Sequence, residues 1–243
     1  MWAISLFLFV LSVAASFIQR VSGFGFGIFV MMFFPFFIPT FGEATTLSGL
    51  LAGTTSLIIA VKNRKYIRWK TITVLFIANV ITAYLAIEYM SGLSNATLKK
   101  SLGVALILIS LYFLFFQGKH PLPTTSKSVQ VLMGSLSGIT GGMFAMPGPP
   151  IVLYCIHAFR NKKEYIASLQ TLFCASNIFY TLFRVRVGFF TEQTLYYWGI
   201  GLIGLFLGTQ LGARCFEHIS GATLKKIVYL LMMVSGIVCC LKS

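Results

Sequence analysis

Apolar runs of about 20 residues constrain this sequence more than any other feature. An α-helix of about 20 apolar residues crosses the hydrocarbon core of a bilayer, which is about 30 Å thick. Charged residues make up only 10% of the chain, against about 25% in ordinary soluble domains. The sequence therefore predicts an all-α polytopic integral membrane protein. The clearly delimited runs are residues 44–61, 71–90, 101–116, 165–183, 193–213 and 222–241.

Two longer apolar stretches are interrupted by glycine. Residues 3–41 are broken by Gln19-Arg20-Val21-Ser22-Gly23-Phe24-Gly25-Phe26-Gly27. Residues 129–159 are broken around Ser137-Gly138-Ile139-Thr140-Gly141-Gly142, ahead of Pro147-Gly148-Pro149-Pro150. Glycine and proline clusters mark turns, so each stretch is predicted to form two short helices joined by a glycine-rich turn. The chain start lacks the basic segment of a secretory signal, so we expect a retained helix there.

Short matching segments indicate an internal repeat. The sequence Ala-Thr-Leu-Lys-Lys at residues 96–100 recurs at residues 222–226. At a different offset, Ser22-Gly23 aligns with Ser137-Gly138. Matches in the same order predict two related halves, residues 1–120 and 127–243. Each half would contain one broken hairpin and three full spans, an odd number of crossings, so the second half should be inverted relative to the first.

The excess of basic residues supports this topology. The chain has 19 Lys and Arg, five Glu and no Asp, giving a net charge of +14. Four explanations compete: nucleic-acid binding, membrane-surface binding, cytoplasmic loops and an anion path. Basic residues here separate apolar runs instead of forming a polar stripe, so no nucleic-acid partner is expected. The inverted topology puts 13 Lys and Arg on one side and 5 on the other, with both termini outside.

Enzymatic chemistry has little support in the sequence. Without Asp, neither a Ser-His-Asp triad nor an aspartyl dyad can form. The five cysteines include no C-x-x-C pair, and the three histidines lack metal-ligand spacing. An intramembrane serine enzyme is the alternative, but residues 134–138 do not fit the G-x-S-x-G spacing. We therefore expect no catalytic residues, no cofactor and no metal site.

The two glycine clusters are predicted to form a substrate site. Non-helical backbone persists at membrane depth only where protein or a watery cavity surrounds it. Helix N-termini also favour anions, and inverted repeats bring such helix starts together near the midplane. Glycine used purely for helix packing is the alternative. The predicted substrate-binding residues are Gln19, Arg20, Ser22, Gly23, Gly25, Gly27, Ser137, Gly138, Thr140, Gly141, Gly142, Gly148 and Pro149.

Arg20 lies beside the first glycine cluster and far from other charges in sequence. Its planar guanidinium suits bidentate binding of an oxyanion, and its loss is expected to abolish anion transport. The alternative places Arg20 at a cytoplasmic hairpin tip. Asn79, Gln170 and Asn177 are polar residues within spans and are secondary candidates for lining the path. All five Glu lie near the ends of apolar runs, which leaves no clear proton relay.

Together, these motifs resemble those of the sulfite exporter TauE/SafE family of membrane proteins. The best local match is residues 22–27, and Gly141-Gly142 with Gly148-Pro149-Pro150 is similar to a second family signature. The resemblance covers the whole chain in length and repeat organisation. It implies outward transport of sulfur-containing anions, such as sulfite or organosulfonates, across the cytoplasmic (inner) membrane. Met143-Phe144 stands where the family pattern would have a longer glycine run.

Two other functions stay open at this point. An anion channel could be built from the same paired hairpins, and a non-transporting membrane assembly protein would use the glycines only for packing. The expected partners are a small anionic substrate and the lipid bilayer. A homodimer is compatible with the many small and aromatic residues, although no sequence feature specifies it.

Overall fold

The computed structural model describes residues 2–115, 126–215 and 221–241, apart from the side chains of residues 3, 22, 215 and 221–227. In this part of the chain, helices and a 3-10 turn at Arg64–Tyr66 are the only regular elements, which confirms the all-α class. The helices are α1 (Trp2–Ser22), α2 (Phe26–Met31), α3 (Phe34–Phe37), α4 (Phe41–Lys62), α5 (Trp69–Ser91), α6 (Asn95–Phe115), α7 (Lys127–Phe144), α8 (Gly148–Ala158), α9 (Lys162–Arg186), α10 (Glu192–Cys215) and α11 (Gly221–Leu241).

The helices match the six predicted runs and are suited to a bilayer. Leu85, Leu108 and Ile203 on their outer faces are 60%, 62% and 61% exposed, as expected for side chains that contact lipid. The protein is therefore a multi-pass membrane protein. By length and composition, five helices of the described chain can cross a membrane: Ile4–Val21, Phe41–Lys62, Trp69–Ser91, Asn95–Phe115 and Lys162–Arg186.

Side-chain caps set the starts of two central helices. The Thr40 hydroxyl accepts a bond from the Glu43 N–H at 3.1 Å, and the Glu43 carboxylate accepts one from the Thr40 N–H at 3.3 Å. This reciprocal capping box satisfies two free N–H groups at the start of α4. Asn161 caps α9 by accepting a bond from the Lys163 N–H at 2.9 Å. Both caps follow breaks in the apolar pattern.

Two polar contacts mark opposite ends of the helix bundle. At the Glu43 end, the Thr191 hydroxyl donates to Glu43 Oε1 at 2.7 Å, joining the start of α4 to the start of α10. At the Glu164 end, Arg68 pairs with Glu164 at 2.6 Å, joining the start of α5 to the start of α9. The central helices α4 and α9 therefore run antiparallel between these ends.

Small residues allow close packing between the two halves of the chain. The main pairs of long helices are α1 with α10, α7 with α5, α4 with α9 and α6 with α11. A Cβ placed on Gly204 of α10 would lie 2.6 Å from the Phe9 carbonyl oxygen of α1. A Cβ on Gly134 of α7 would lie 2.5 Å from the Leu75 carbonyl oxygen of α5. Such contacts let backbones approach closely in a membrane, where van der Waals packing drives helix association.

The second hairpin exists, but the predicted position of its break was wrong. Helix α7 continues through residues 137–142 and ends at Phe144, so the turn consists of Ala145, Met146 and Pro147. Ala145 adopts a left-handed backbone conformation with φ 56°. The N–H groups of Ala145 and Met146 donate to the Gly141 and Thr140 carbonyls at 3.0 and 3.2 Å, closing the end of α7. The glycines that precede the turn serve helix packing: Gly138 and Gly142 pack α7 against α5, and Gly141 packs it against Tyr180 of α9.

The first break lies within the predicted segment, residues 19–27, but is shorter than predicted. Helix α1 ends at Ser22 and α2 begins at Phe26. The expectation of two short helices in each hairpin was only half right, because α1 has 21 residues and α7 has 18. The second helices are the short ones, with 6 residues in α2 and 11 in α8. Each hairpin therefore pairs a helix of nearly full span length with a short return segment.

Candidate functional site

The two hairpin turns line one central cavity. Its volume is about 30 Å³. On the same volume scale a single water needs roughly 10–15 Å³. The cavity therefore has room for a small ion or a few waters. Residues 24–28 and 145–148 contribute from the turns, Gln19 from α1, Ala52 and Ser56 from α4, and Phe173 and Asn177 from α9.

Glycine permits the backbone conformation of the first turn. Gly23 and Gly25 have φ of +84° and +105°, a region that side-chain-bearing residues rarely adopt. The Gly23 N–H donates to the Gln19 carbonyl at 2.8 Å and closes α1. The Gly25 carbonyl accepts from the Phe29 N–H at 2.9 Å and opens α2. The chain therefore reverses within three residues.

The two hairpins touch at Gly27. A Cβ at this position would overlap the Ala145 carbonyl oxygen and would lie 3.5 Å from Ser48 Oγ. Only glycine permits this approach, which brings the start of α2 beside the second turn. The contact forms part of the cavity wall, because both Gly27 and Ala145 line the cavity.

The start of α8 offers few N–H donors. Pro147, Pro149 and Pro150 have no N–H, so the Gly148 and Ile151 N–H groups are the backbone donors of this first turn. Gly148 lines the cavity. The helix dipole still places partial positive charge at this end. The electrostatic contribution of α8 to the cavity therefore exceeds its hydrogen-bonding contribution.

A chain of buried amides supports the first turn. Gln170 Nε2 donates to the Gly23 carbonyl at 2.8 Å. Gln19 Nε2 makes longer contacts, 3.5 Å to Gln170 Oε1 and 3.4 Å to Ser56 Oγ. Among the described residues, Gln19 Oε1 and Asn177 Oδ1 have no hydrogen-bond partner, although both side chains are buried. Buried polar atoms are normally paired, so these two atoms mark the cavity as a polar binding site.

A second buried network fixes the other turn. Ser137 Oγ donates to the Pro147 carbonyl at 2.6 Å and accepts from Asn79 Nδ2 at 3.0 Å. Asn79 Oδ1 accepts from the Ser176 hydroxyl at 2.8 Å and from the Tyr180 hydroxyl at 2.9 Å. One asparagine of α5 therefore connects α7, α9 and the second turn.

A fully buried arginine lies next to this network. Arg184 of α9 donates from Nη2 to the Gly141 and Gly142 carbonyls at 2.8 and 2.9 Å. Its Nη1 donates to the Thr45 carbonyl of α4 at 3.1 Å. The side chain has no exposed surface. The guanidinium thus joins the end of α7 to α4, where a positive charge also complements the C-terminal end of the α7 dipole.

Comparison with known proteins identifies the family. The family model described as "Sulfite exporter TauE/SafE" matches residues 8–239. The chain belongs to this family. A curated protein of Cupriavidus necator, named "Probable sulfite/organosulfonate exporter TauE", is 23% identical over 229 residues, which cover 89% of this chain and 86% of that protein. No solved structure matches the chain. The resemblance found from the glycine clusters is confirmed, and the chain is a member of a membrane transporter family.

In this TauE/SafE family protein, four of the predicted site residues meet at the cavity. Gln19, Gly25, Gly27 and Gly148 line it. Gly23, Ser137 and Gly141 lie one layer outside: the Gly23 carbonyl binds Gln170, Ser137 binds the second turn, and the Gly141 carbonyl binds Arg184. The secondary candidate Asn177 also lines the cavity, whereas Gln170 and Asn79 support the two turns.

Three predicted residues of α7 lie away from the cavity. A Cβ on Gly138 would overlap Thr82 Oγ1 and the Asn79 carbonyl oxygen, and one on Gly142 would lie 2.8 Å from the Ala83 carbonyl oxygen. Both glycines therefore pack α7 against α5, the alternative that the sequence left open. The Thr140 hydroxyl donates to the Leu136 carbonyl of its own helix at 3.0 Å.

Arg20 and Pro149 also lie outside the cavity lining. Arg20 is half-buried on α1, and a Cβ on Gly212 of α10 would lie 2.9 Å from the Arg20 Cβ. Pro149 is buried and lines a separate apolar pocket with Leu108 and Met133. The side chain of Ser22 lies outside the described residues, and Ser22 itself is the last residue of α1.

Sequence reasoning missed Arg184 as a site residue. Arg184 and Arg186 occur close together near the end of an apolar run, a position typical of the loop between two membrane spans. Gln170, Asn177 and Arg184 are spaced seven residues apart, however, which places them on one face of a helix. That spacing was the available signal. Within the described chain, no group of three or more His, Cys, Asp or Glu could hold a metal ion.

Proposed function

We propose that this protein transports small sulfur-containing oxyanions, sulfite or organosulfonates, outward across the cytoplasmic membrane. The substrate site of this proposal is the cavity between the two hairpin turns. The observation that carries it is that both turns line one cavity whose wall includes two buried amide oxygens without partners among the described residues. The substrate class comes from the name of the Cupriavidus necator relative.

The chemistry of the cavity wall suits an oxyanion. The amides of Gln19 and Asn177 can each present an NH₂ group after rotation about their last torsion, and Ser56 offers a hydroxyl. Such neutral donors, together with the positive end of the α8 dipole, stabilise negative charge without a fixed ion pair. The apolar rings of Phe24 and Phe173 complete the wall and exclude water.

The volume of the cavity favours a small polar group. About 30 Å³ accommodates a few atoms beyond one water, such as the three oxygens of an SO₃ group. An organosulfonate would place its sulfonate here and would need further space along the Phe24 and Phe173 side for its organic part. Sulfite is therefore the substrate we expect to be transported faster.

Membrane potential supplies the driving force for export. The free energy of a monovalent anion falls by about 2.3 kcal/mol per 100 mV when it leaves an inside-negative cell. No carboxylate is among the described residues that line the cavity. Glu43, Glu88 and Glu164 lie near helix ends and bind Thr191, Arg186 and Arg68 there. We therefore expect export to run without a coupled proton.

An inverted relation between residues 1–120 and 127–243 is part of this proposal. The observed pairs support it, because α1 with α10 and α7 with α5 would exchange under such a symmetry. The pairs α4 with α9 and α6 with α11 would each map onto themselves. The Glu164 end, rich in Lys and Arg, would face the cytoplasm. The homodimer stays a prediction.

Flux measurements in liposomes test the function. The purified protein should move sulfite faster than chloride, and an inside-negative potential should accelerate efflux. Gln19→Leu and Asn177→Leu should each lower sulfite flux about tenfold, because each removes a polar group from the cavity that can contribute about 1–1.5 kcal/mol of binding. The matched control Gln210→Leu removes the exposed amide of α10 and should leave flux unchanged.

Three outcomes would contradict the proposal in different ways. Equal chloride and sulfite flux would remove the claimed selectivity. Unitary currents in place of saturable turnover would favour an anion channel. An absence of flux for every anion tested, from protein that remains folded in the membrane, would favour the non-transporting assembly protein.

A further inference from the structure

Arg184 is a buried charge without a charged partner in the described chain. Its side chain has no exposed surface, and its Nε has no hydrogen-bond partner among the described residues. The ion pairs found in this part of the chain involve Arg68 and Arg186 instead, and Arg186 takes Glu88 at 3.4 Å. A buried arginine is costly, and arginines inside membranes usually face a partner or a substrate pathway.

The groups around Arg184 solvate its charge without neutralising it. Three carbonyl oxygens, from Thr45, Gly141 and Gly142, accept its hydrogen bonds. The Tyr180 ring centroid lies 5.8 Å from Cζ, an additional cation–π contact. Carbonyl dipoles and a ring face leave a net charge of +1 at this position. In a low-dielectric interior this charge attracts an anion more strongly than any neutral donor of the cavity does.

Gly49 connects Arg184 to the cavity. A Cβ on Gly49 of α4 would lie 2.9 Å from Arg184 Nη1 and 3.2 Å from Asn177 Oδ1. Arg184 Nη1 and Asn177 Oδ1 therefore lie within about 6 Å of each other, and both face Gly49, which has no side chain. Because Asn177 lines the cavity, an anion bound beside this amide would lie close to the Arg184 guanidinium.

Unpartnered polar atoms extend from the cavity toward the Glu43 end of the bundle. Gln19 Oε1 and Asn177 Oδ1 belong to the cavity, while Ser48 Oγ and Arg184 Nε lie beyond it. Ser48 and Gly49 precede Ala52 and Ser56 on α4, so they lie nearer to Glu43 at the start of this helix. The order of these groups describes a polar route. Water can donate to the two amide oxygens, whereas a passing anion would bind the Ser48 hydroxyl, Arg184 Nε–H and the NH₂ groups of the amides after their rotation.

We propose that Arg184 is the counter-charge of the transported anion. Resting on the proposed function, this assigns a second binding position, in which an oxyanion from the cavity binds the guanidinium beside Gly49 on its way to the Glu43 end. Its Nε–H has no partner among the described residues and can donate to one oxyanion oxygen. If Nη2 also releases the Gly141 or Gly142 carbonyl, this edge of the guanidinium holds two oxygens at once, which a halide cannot match. Arg184 thus selects oxyanions. It takes the oxyanion-binding role that the sequence predicted for Arg20.

Two substitutions of Arg184 separate charge from structure. Arg184→Gln keeps a polar group but removes the charge, and KM for sulfite should rise about 10- to 100-fold, the usual effect of losing a hydrogen bond to a charged group. Arg184→Lys keeps the charge, and KM should stay within about tenfold of the original value. Arg186→Gln is the matched control, since Arg186 is exposed, and KM should not change. Flux in liposomes and sulfite-induced thermal stabilisation in detergent give two readouts.

A purely structural arginine would behave differently. If Arg184 only joins α7 to α4, both variants lose the fork, both destabilise the protein, and the folded fraction keeps its original KM. That result would overturn the proposal. Wild-type protein that neither binds nor transports sulfite would instead contradict the proposed function itself.

A pair of glycine variants tests the proposal if Arg184→Gln fails to fold. Gly49→Ala places a methyl group between Arg184 Nη1 and Asn177 Oδ1, so KM should rise about tenfold or more. Gly53→Ala lies one turn away on α4, where the added Cβ would meet Asn177 Cβ at 3.1 Å and no atom of Arg184. Because Gly53→Ala displaces Asn177 but not Arg184, it should raise KM less than Gly49→Ala does. Equal KM in the two variants would overturn the role of Arg184 while leaving sulfite transport intact.

Discussion

The two hairpins reverse the chain by different means, although both turns line the same cavity. In the first hairpin, Gly23 and Gly25 occupy the turn itself and adopt positive φ. In the second, Ala145 takes the left-handed conformation and Pro147 precedes the new helix. The glycines of the second hairpin lie earlier, inside α7, where they allow contact with α5. Similar clusters in the sequence thus serve backbone conformation in one hairpin and helix packing in the other.

This difference makes the cavity chemically asymmetric. The first turn brings the Gln19 amide and a backbone rich in N–H groups, whereas the prolines of the second turn remove donors and leave mainly the dipole of α8. Arg184, the one buried charged side chain among the described residues, lies beside the second hairpin. The two glycine clusters therefore do different chemistry, and substitutions in them should have unequal effects.

The largest effect is expected from Gly138→Ala in the second hairpin. The new Cβ would overlap backbone and side-chain atoms of Asn79 and Thr82, and helices α5 and α7 would have to separate. Overpacking of this kind should lower the unfolding free energy by about 3 kcal/mol, measured by thermal unfolding in detergent. Gly199→Ala of α10 is the control, because an added Cβ there meets no atom within 4 Å. Equal stability of the two variants would show that Gly138 is not a packing glycine.

A smaller loss of stability is expected from Gly27→Ala in the first hairpin. The Cβ would overlap the Ala145 carbonyl oxygen, so α2 and the second turn would have to separate, which is easier for a helix of six residues than for the long helices α5 and α7. We expect the unfolding free energy to fall by about 2 kcal/mol. Sulfite flux per folded molecule should also fall, because the cavity wall moves. Gly92→Ala, at the exposed end of α5, should change neither quantity. Normal flux in Gly27→Ala would separate the hairpin contact from transport.

The smallest effects concern the turns themselves and should have opposite signs. Gly23→Ala forces a side chain into positive φ with free space around it and should cost about 1 kcal/mol. Ala145→Gly relieves the same strain, although glycine also loses more backbone entropy on folding. The net result should be an unfolding free energy about 0.5 kcal/mol higher. Thermal unfolding measures both, with Gly23→Asn as a milder variant because Asn tolerates this conformation. A loss of stability in Ala145→Gly would mean that the methyl group matters more than the backbone.

Much of the architecture was predictable because apolar length is a strong signal. All six apolar runs form helices, and both interrupted stretches form hairpins. The first break was correctly placed within residues 19–27, because Gly23 and Gly25 supply the positive φ that the turn requires. The second break was misplaced because the sequence does not distinguish a glycine that turns the chain from one that admits a neighbouring helix.

The candidate site was harder to predict because it depends on helix rotation. Gln19 and Arg20 are neighbours in α1, yet consecutive residues in a helix point about 100° apart. Gln19 lines the cavity, and Arg20 packs against Gly212. Arg184 was missed because its burial depends on carbonyl partners from α4 and α7, which are more than 40 residues away in sequence. The type of a side chain alone reveals neither the rotation of its helix nor the distant residues that bury it.

The Asn79 network also makes one side of the cavity rigid. Its four hydrogen bonds, of 2.6 to 3.0 Å, tie α5, α7, α9 and the second turn into one mechanical unit. The first turn has one short side-chain bond of this kind, from Gln170 to the Gly23 carbonyl at 2.8 Å, while the Gln19 contacts beside it are longer, at 3.4 and 3.5 Å, and weaker. With fewer short bonds and only the short α2 after it, the first turn should move more than the second during a transport cycle.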